Sequence, residues 1–359
     1  MRDTYFGTDR DNVMSASATL RESFYGLEGN DTFYFYGVDG VDPDYDMSDR
    51  FYGGDGRDVL QNIKLYFDGT SGLSQLAQLS FDGGKGYDTL AVTISAQMAD
   101  YTASSSVMDL TTIAPLLRSV EHRQYDVDLA VMSGSVNSLT IKGGALDETL
   151  RLHQEDLGTM GPGGEIIVSL GGGADRFEFS AEIAVISSLQ LDTGTGADVV
   201  IMNASPTTYP DDFHAVIRTG GGADTIVLEG MYSETLNAGA GDDEIFVLTG
   251  SFAEAPDVIR TGAGRDRVYI ELDSYSTVAR IRDFAAGQDK IVFDADEFRD
   301  TTVTFDRKVW KAAETDMLYM DNAAGKLYFG DNLLVNFGAG TELSAKNFTT
   351  DTWDVLADL

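Results

Sequence analysis

TGGGADTIVL (residues 219–228), AGAGDDEIFV (238–247) and TGAGRDRVYI (261–270) share one pattern: a glycine-rich turn closing on aspartate, then an alternating apolar strand. The pattern recurs as GLEGNDTFYF (26–35), GGDGRDVL (53–60), GGKGYDTLAV (83–92), LGGGADRFEF (170–179) and TGTGADVVIM (193–202). Its closing residues are Asp31, Asp58, Asp88, Asp175, Asp198, Asp224, Asp243 and Asp266. Weaker copies put Asp11 and Asp289 at the same point, and GGALDETL (143–150) puts Glu148 there. Units of this size cannot bury an apolar face alone, so such a repeat predicts stacking.

The flanking residues turn the motif into a fold. Two positions after each acidic anchor stand Val13, Phe33, Leu60, Leu90, Leu150, Phe177, Val200, Ile226, Ile245, Val268 and Ile291, all apolar. Four positions after come Phe35, Val92, Leu152, Phe179, Met202, Leu228, Val247, Ile270 and Phe293, with Asn62 an exception. A period of two predicts a strand with one buried face. Seven positions before the anchors stand Phe24, Phe51, Phe81, Ile141, Val168, Leu191, Ile217, Leu236 and Ile259, which predicts a second strand entering the same core. Each unit therefore reads strand, tight turn, strand, loop. Anchors lie 19 to 30 residues apart, except for 60 between Asp88 and Glu148, where a turnless coil is expected near Leu117 to Asp128. The expected fold is an all-β, right-handed parallel β-solenoid over residues 1–298, with a degenerate coil near 95–142. Its acidic turns form a row along one edge.

Turn chemistry points to a cation. Paired glycines at Gly54/Gly56, Gly84/Gly86, Gly171/Gly173, Gly194/Gly196, Gly220/Gly222, Gly239/Gly241 and Gly262/Gly264 permit positive φ and let backbone carbonyls crowd together. Each following aspartate adds a carboxylate. Such oxygen sets suit Ca²⁺, which takes six to eight hard oxygen ligands in flexible geometry. Asp289 is expected to complete the last site. At ten times its dissociation constant one site contributes about 1.4 kcal/mol, so roughly eight would add about 11 kcal/mol. The chain is therefore expected to fold when it meets calcium.

Composition agrees. The net charge of −34, from 59 acidic and 25 basic residues, disfavours nucleic acid and anionic membranes as partners and calls for multivalent cations. A hydrophobic content of 43% excludes a disordered acidic tail. There are no cysteines, hence no disulfides and no thiolate metal sites. No transmembrane segment and no cleaved N-terminal signal peptide are expected, since MRDTYFGTDRDN lacks the pattern of one.

The turns resemble the GGxGxDxUx nonapeptides of the repeats-in-toxin (RTX), hemolysin-type calcium-binding family. Arg282-Asp283-Phe284 through Gly287-Gln288-Asp289-Lys290-Ile291, then LYMDNAAGKLYFG (318–330) and ELSAKNF (342–348), resemble the closing and capping segments of such proteins. The resemblance implies a β-roll with several bound Ca²⁺ ions, type I secretion and an extracellular or cell-surface location. It also implies a C-terminal cap and secretion-signal region over 299–359. Family repeats come every nine residues, with turns on both edges. Here one turn per 19–30 residues implies a single row of ions, and Leu146 with Glu148 implies a weak or empty site.

A structural, surface or matrix role, with self-association or cell-surface or polysaccharide contact, is the first functional expectation. An enzyme is the second. Neither an HExxH nor a GxSxG motif is present. Arg151, His153 and Glu178 are expected on one solvent-facing sheet, where polysaccharide lyases or epimerases place acid–base groups; scattered surface polarity is the ordinary alternative. A third is that the chain is a C-terminal fragment of a larger toxin or adhesin.

Overall fold

The computed structural model describes residues 2–16, 21–35, 49–67, 80–99, 106–112, 117–133, 138–153, 164–181, 186–204, 213–230, 233–249, 257–271, 279–295, 303–311 and 317–352. They fall into two compact units, Met1–Glu178 and Phe179–Leu359. Each is a parallel β-solenoid, built from the strand–turn–strand unit that the sequence repeats.

In the first unit the entering strands Asp3–Phe6, Glu22–Glu28, Arg50–Gly56, Ser80–Gly86 and Leu117–Arg118 form one parallel sheet in that order. The leaving strands Val13–Ser15, Thr32–Tyr34, Val59–Phe67, Thr89–Ala99, His122–Ser133 and Asp147–His153 form a second. Ser106–Asp109, Ser138–Lys142 and Gly164–Ser169 pair in a third. Register places like on like: Phe24, Phe51 and Phe81 stack in one column, and Phe24 and Phe51 rings lie 5.3 Å apart at 6°. All three are buried, so the stack fills the interior against Phe33, Leu60 and Leu90.

The second unit repeats the scheme. Val199–Ala204, Thr225–Gly230, Glu244–Thr249, Arg267–Ile270 and Lys290–Asp294 form its leaving sheet, closed by Phe348–Asp351. Val200, Ile226, Ile245, Val268 and Ile291 stand in one fully buried column. The entering strands Ile186–Asp192, His214–Arg218, Ser233–Asn237, Asp257–Arg260 and Ala279–Ile281 continue into Asn332–Asn336. There the sheet turns antiparallel through Lys326–Phe329 and Leu318–Asp321. A one-faced core is not the whole account, however. Val227, Phe246, Tyr269 and Val292 form a second buried cluster on the other face of the leaving strands.

Two details differ from the sequence expectation. Asn62 breaks the apolar column because it is a bulge: at φ 62° it is an extra residue, the register shifts there, and Ile63 takes the buried place. The first anchor is Asn12 and not Asp11, since Val13 pairs with Thr32 and Asn12 therefore faces Asp31. Val13 consequently points outward, 73% exposed, and Met14 faces buried Phe33. In the coil that follows Asp88, Leu117 pairs with Phe81 and His122 with Thr89, so five residues span what takes eight in the coil before. Residues 100–105, 113–116 and 134–137 of the degenerate stretch, and the tail 353–359, lie outside the described residues.

Candidate metal centre

Each turn closes on a hydrogen bond between coils. The backbone N–H of one anchor donates to the carboxylate Oδ1 of the next: Asp31 to Asp58 and Asp58 to Asp88, both at 2.8 Å. In the second unit the same ladder runs from Asp198 to Asp224 (2.9 Å), Asp224 to Asp243 (3.0 Å), Asp243 to Asp266 (3.1 Å) and Asp266 to Asp289 (3.3 Å). Glu148 donates likewise to Asp175 at 2.9 Å. All of these acidic residues are buried. Burial with one oxygen engaged leaves the other to be accounted for. The Oδ2 atoms of Asp31, Asp58, Asp88, Asp224, Asp243 and Asp266 accept no hydrogen bond.

Glycine makes the space these atoms face. A Cβ on Gly53 would lie 2.2 Å from Asp58 Oδ2 and 2.4 Å from the Gly83 carbonyl oxygen of the next coil. The same holds at Gly26 (Asp31 Oδ2 2.0 Å, Gly53 O 2.4 Å) and at Gly83 (Asp88 Oδ2 2.4 Å, Ser119 O 2.3 Å). Carboxylate and carbonyl oxygens thus converge on a spot that only hydrogen leaves open.

The glycine pairs expected from sequence lie further round the turn. All but Gly56 have φ between 88° and 153°. Gly173, Gly241 and Gly264 do not have an orphaned Oδ2 as nearest neighbour; each meets the backbone of the preceding coil, at a carbonyl oxygen. A Cβ on Gly173 would lie 2.4 Å from Leu146 O, on Gly241 1.5 Å from Gly222 O, and on Gly264 1.6 Å from Gly241 O. Gly264 alone of the three has a carboxylate oxygen among its nearest neighbours, Asp266 Oδ1 at 3.2 Å, and that oxygen already accepts the Asp243 N–H. Gly56 and Gly222 follow the same rule, with Gly29 O at 1.8 Å and Gly196 O at 1.5 Å. The reason is the stacking distance: coils spaced like neighbouring strands leave no room for a Cβ where one turn overlies the next. The glycine that faces the free carboxylate oxygen is the one five residues before the anchor, not a member of the pair.

The electrostatics of the row are unfavourable for protein alone. Burial pushes Asp58 up to about 6, and the neighbouring Asp88 and Asp31 carboxylates add to it. Burial likewise drives Asp243 to about 7 and Asp266 to about 6, and raises Asp31, Asp88, Asp224 and Asp289. A line of orphaned, mutually repelling carboxylate oxygens beside carbonyl oxygens is a set that a hard divalent cation satisfies. The residues present therefore fit Ca²⁺. Among the described residues no three His, Cys, Asp or Glu side chains gather on one point. That follows if most ligands are backbone carbonyls.

Threonines contribute a feature absent from the sequence reading, although they stand in the repeated strings. Thr193, Thr219 and Thr261 lie five residues before their anchors, where the first unit has Gly26, Gly53 and Gly83. The Thr193 hydroxyl donates to Asp198 Oδ2 at 2.6 Å, and that of Thr219 to Ala238 O at 2.8 Å. Asp289 Oδ2 accepts from the Ala285 N–H (2.6 Å) and the Thr261 hydroxyl (3.3 Å). Asp289 thus ends the row with protein donors on both oxygens.

A second set of acidic rungs was also missed. Nine residues before Asp31, Asp58, Asp243 and Asp266 stand Glu22, Asp49, Glu234 and Asp257, at the other end of the entering strands. Glu22 N–H donates to Asp49 Oδ1 at 2.7 Å and Glu234 N–H to Asp257 Oδ1 at 3.0 Å, the rung geometry of the turns. Burial and the Asp257 carboxyl raise Glu234 well above the ordinary carboxylate range. No glycine pair marks these positions, and the nine-residue interval is their only signal.

Arg151, His153 and Glu178 do share one face. Arg151 Nε lies 2.8 Å from Glu178 Oε2, Arg176 bonds the other Glu178 oxygen, and His153 Nδ1 lies 3.0 Å from Asp126 Oδ1. Burial pushes the Glu178 carboxyl up, but the hydrogen bonds from Arg176 and Arg151 outweigh it and hold the group below its ordinary value. A carboxylate so held is a poor proton donor.

Residues 46–61 and 230–250 match the family model of the RTX calcium-binding nonapeptide repeat (4 copies). The two stretches contain Asp49 with Asp58 and Glu234 with Asp243, each pair nine residues apart. No curated protein matches the chain. No helix among the described residues is long and apolar enough to cross a membrane. With its ladder of buried carboxylates on parallel coils, the chain carries RTX repeats of the calcium-binding kind.

Proposed function

We propose that the chain is exported unfolded and folds outside the cell when Ca²⁺ fills the turn cradles, to serve as a structural, surface or matrix component. The observation that carries this is the row of buried Oδ2 atoms without hydrogen bonds, each of the first three beside a carbonyl of the next coil. The ligands would be Asp31, Asp58, Asp88, Asp175, Asp198, Asp224, Asp243 and Asp266, with carbonyl oxygens of the glycine turns around them. Asp289 would close the row. Bound calcium would neutralise the repulsion that raises these carboxyl groups and join adjacent coils through shared oxygens.

Export draws on the family resemblance, and it suits a chain without cysteine. Low calcium inside and high calcium outside give the switch its direction. Residues 299–359 would cap the solenoid and carry the secretion signal; the pairing of Phe348–Asp351 onto Lys290–Asp294 supports the capping part. Far-UV circular dichroism and small-angle scattering through a calcium titration, with magnesium as control, test the switch. A cooperative gain of β-structure and compaction with calcium alone is expected. Full β-structure in excess chelator would refute it.

A further inference from the structure

The cradle pattern fails at one place in the first unit, and what stands there is a charged side chain. Between Leu117 and His122 the turn is three residues shorter than its neighbour and contains no glycine. Glu121 takes over the rung, its Oε2 accepting the Asp88 N–H at 3.0 Å. Two residues on, Arg123 pairs in register with Glu148. Arg123 is 7% exposed and Glu148 1%. Neither Glu148 oxygen accepts a hydrogen bond. A Cβ built on Gly144 would lie 3.2 Å from Glu148 Oε1 and 4.0 Å from Arg123 Nη1, so carboxylate and guanidinium flank one point of the turn interior.

We infer that Arg123 is the resident cation of the Glu148 turn, holding the place that calcium takes in the glycine cradles and excluding an ion from it. The inference rests on the calcium reading of those cradles. A guanidinium keeps its charge in any buried setting, and a buried charge needs an opposite one. Glu148 supplies it. A divalent ion beside the guanidinium would meet like charge. The glycine that would admit a second carbonyl is also replaced, by Leu146. The first unit thereby carries a calcium-free rung between the Asp31–Asp88 cradles and Asp175.

Bound calcium per chain, measured by atomic emission after dialysis against millimolar calcium, decides the matter for the wild type and two variants. Arg123→Met removes the tethered cation and is expected to gain about one ion. Arg123→Met/Glu148→Leu replaces the pair by apolar side chains of similar size and is expected to fold with the wild-type count. A double variant that loses about one ion, or that fails to fold in calcium, overturns the inference, because Glu148 would then be a ligand or the charge pair indispensable. A folded Arg123→Met with an unchanged count also overturns it. If Arg123→Met does not fold, the double variant's count decides alone. A wild type that binds no calcium would instead remove the reading on which the inference rests.

Discussion

The turns of the two units hold the same aspartate in different company. In the first, Gly26, Gly53 and Gly83 leave the space beside Asp31, Asp58 and Asp88 free of side chains. In the second, that column carries Thr193, Thr219, Ala238 and Thr261. Thr193 satisfies Asp198 and Thr261 helps satisfy Asp289, while Asp224, Asp243 and Asp266 between them keep an orphaned oxygen. The ladder is therefore not one device repeated. Where a hydroxyl meets the carboxylate, protein can substitute for part of a metal's role. Where glycine faces it, nothing else can.

The sharpest way to break the comparison is to remove an anchor on each side. Asp58→Ala takes the acceptor from the Asp31 N–H and a carboxylate from the cradle. We expect it to destabilise the calcium-loaded protein by about 3 kcal/mol, read as a shift of the calcium midpoint by circular dichroism. Asp198→Ala should cost about half as much, because Thr193 already answers one oxygen. Between those two in size is Gly53→Ala, whose methyl would sit 2.2 Å from Asp58 Oδ2. A loss of roughly 2 kcal/mol is expected by the same titration, from overpacking alone; a neutral result would show that the cradle is not confined.

Thr193→Val sharpens the other side. It removes the 2.6 Å bond to Asp198 and should cost about 1 kcal/mol in chemical denaturation. Protons offer a subtler test. In the metal-free fold Asp58, Asp243 and Asp266 stand at about 6, 7 and 6, above their unfolded value of 3.8. The folded state then binds more protons than the unfolded one. In chelator, acidification from about pH 7 toward 4 should therefore favour folding and raise the β-signal in circular dichroism, whereas in calcium the same acid should weaken the protein by competing for ligands. Opposite pH trends with and without calcium would confirm it; equal trends would not. Smallest of all, Lys85→Ala breaks only the exposed pair with Asp55 at 2.8 Å and should leave the calcium midpoint where it was.

The columns of the solenoid were readable because glycine, aspartate and alternating apolar residues each answer to one geometric demand. Asp31, Asp58 and Asp88 are anchors by sequence and by structure alike. Legibility ended where two residue types can meet one demand, or one residue type two. Gly53 and Gly54 read alike in the string, but one opens the cradle and the other lets coils stack. Asp9-Arg10-Asp11-Asn12 offers acceptors in tandem, and only pairing with Thr32 selects Asn12 as the anchor. Asn62 looked like a polar fault in a strand, because a bulge leaves no mark in composition. Arg123 was invisible as a cation site, since the repeat directs attention to carboxylates after glycine. Glu22, Asp49, Glu234 and Asp257 escaped for the same reason.

The carboxylate ladder has a direction. Every anchor N–H in the second unit's ladder is answered by the coil that follows it, and the ladder stops at Asp289 on donors of its own segment. A growing solenoid that begins from its C-terminal end would present a ready acceptor to each newcomer. One that begins at the other end would offer an N–H with nothing yet to receive it. The finished end is a template and the ladder a one-way ratchet, so deleting the last coils should cost more assembly than deleting the first.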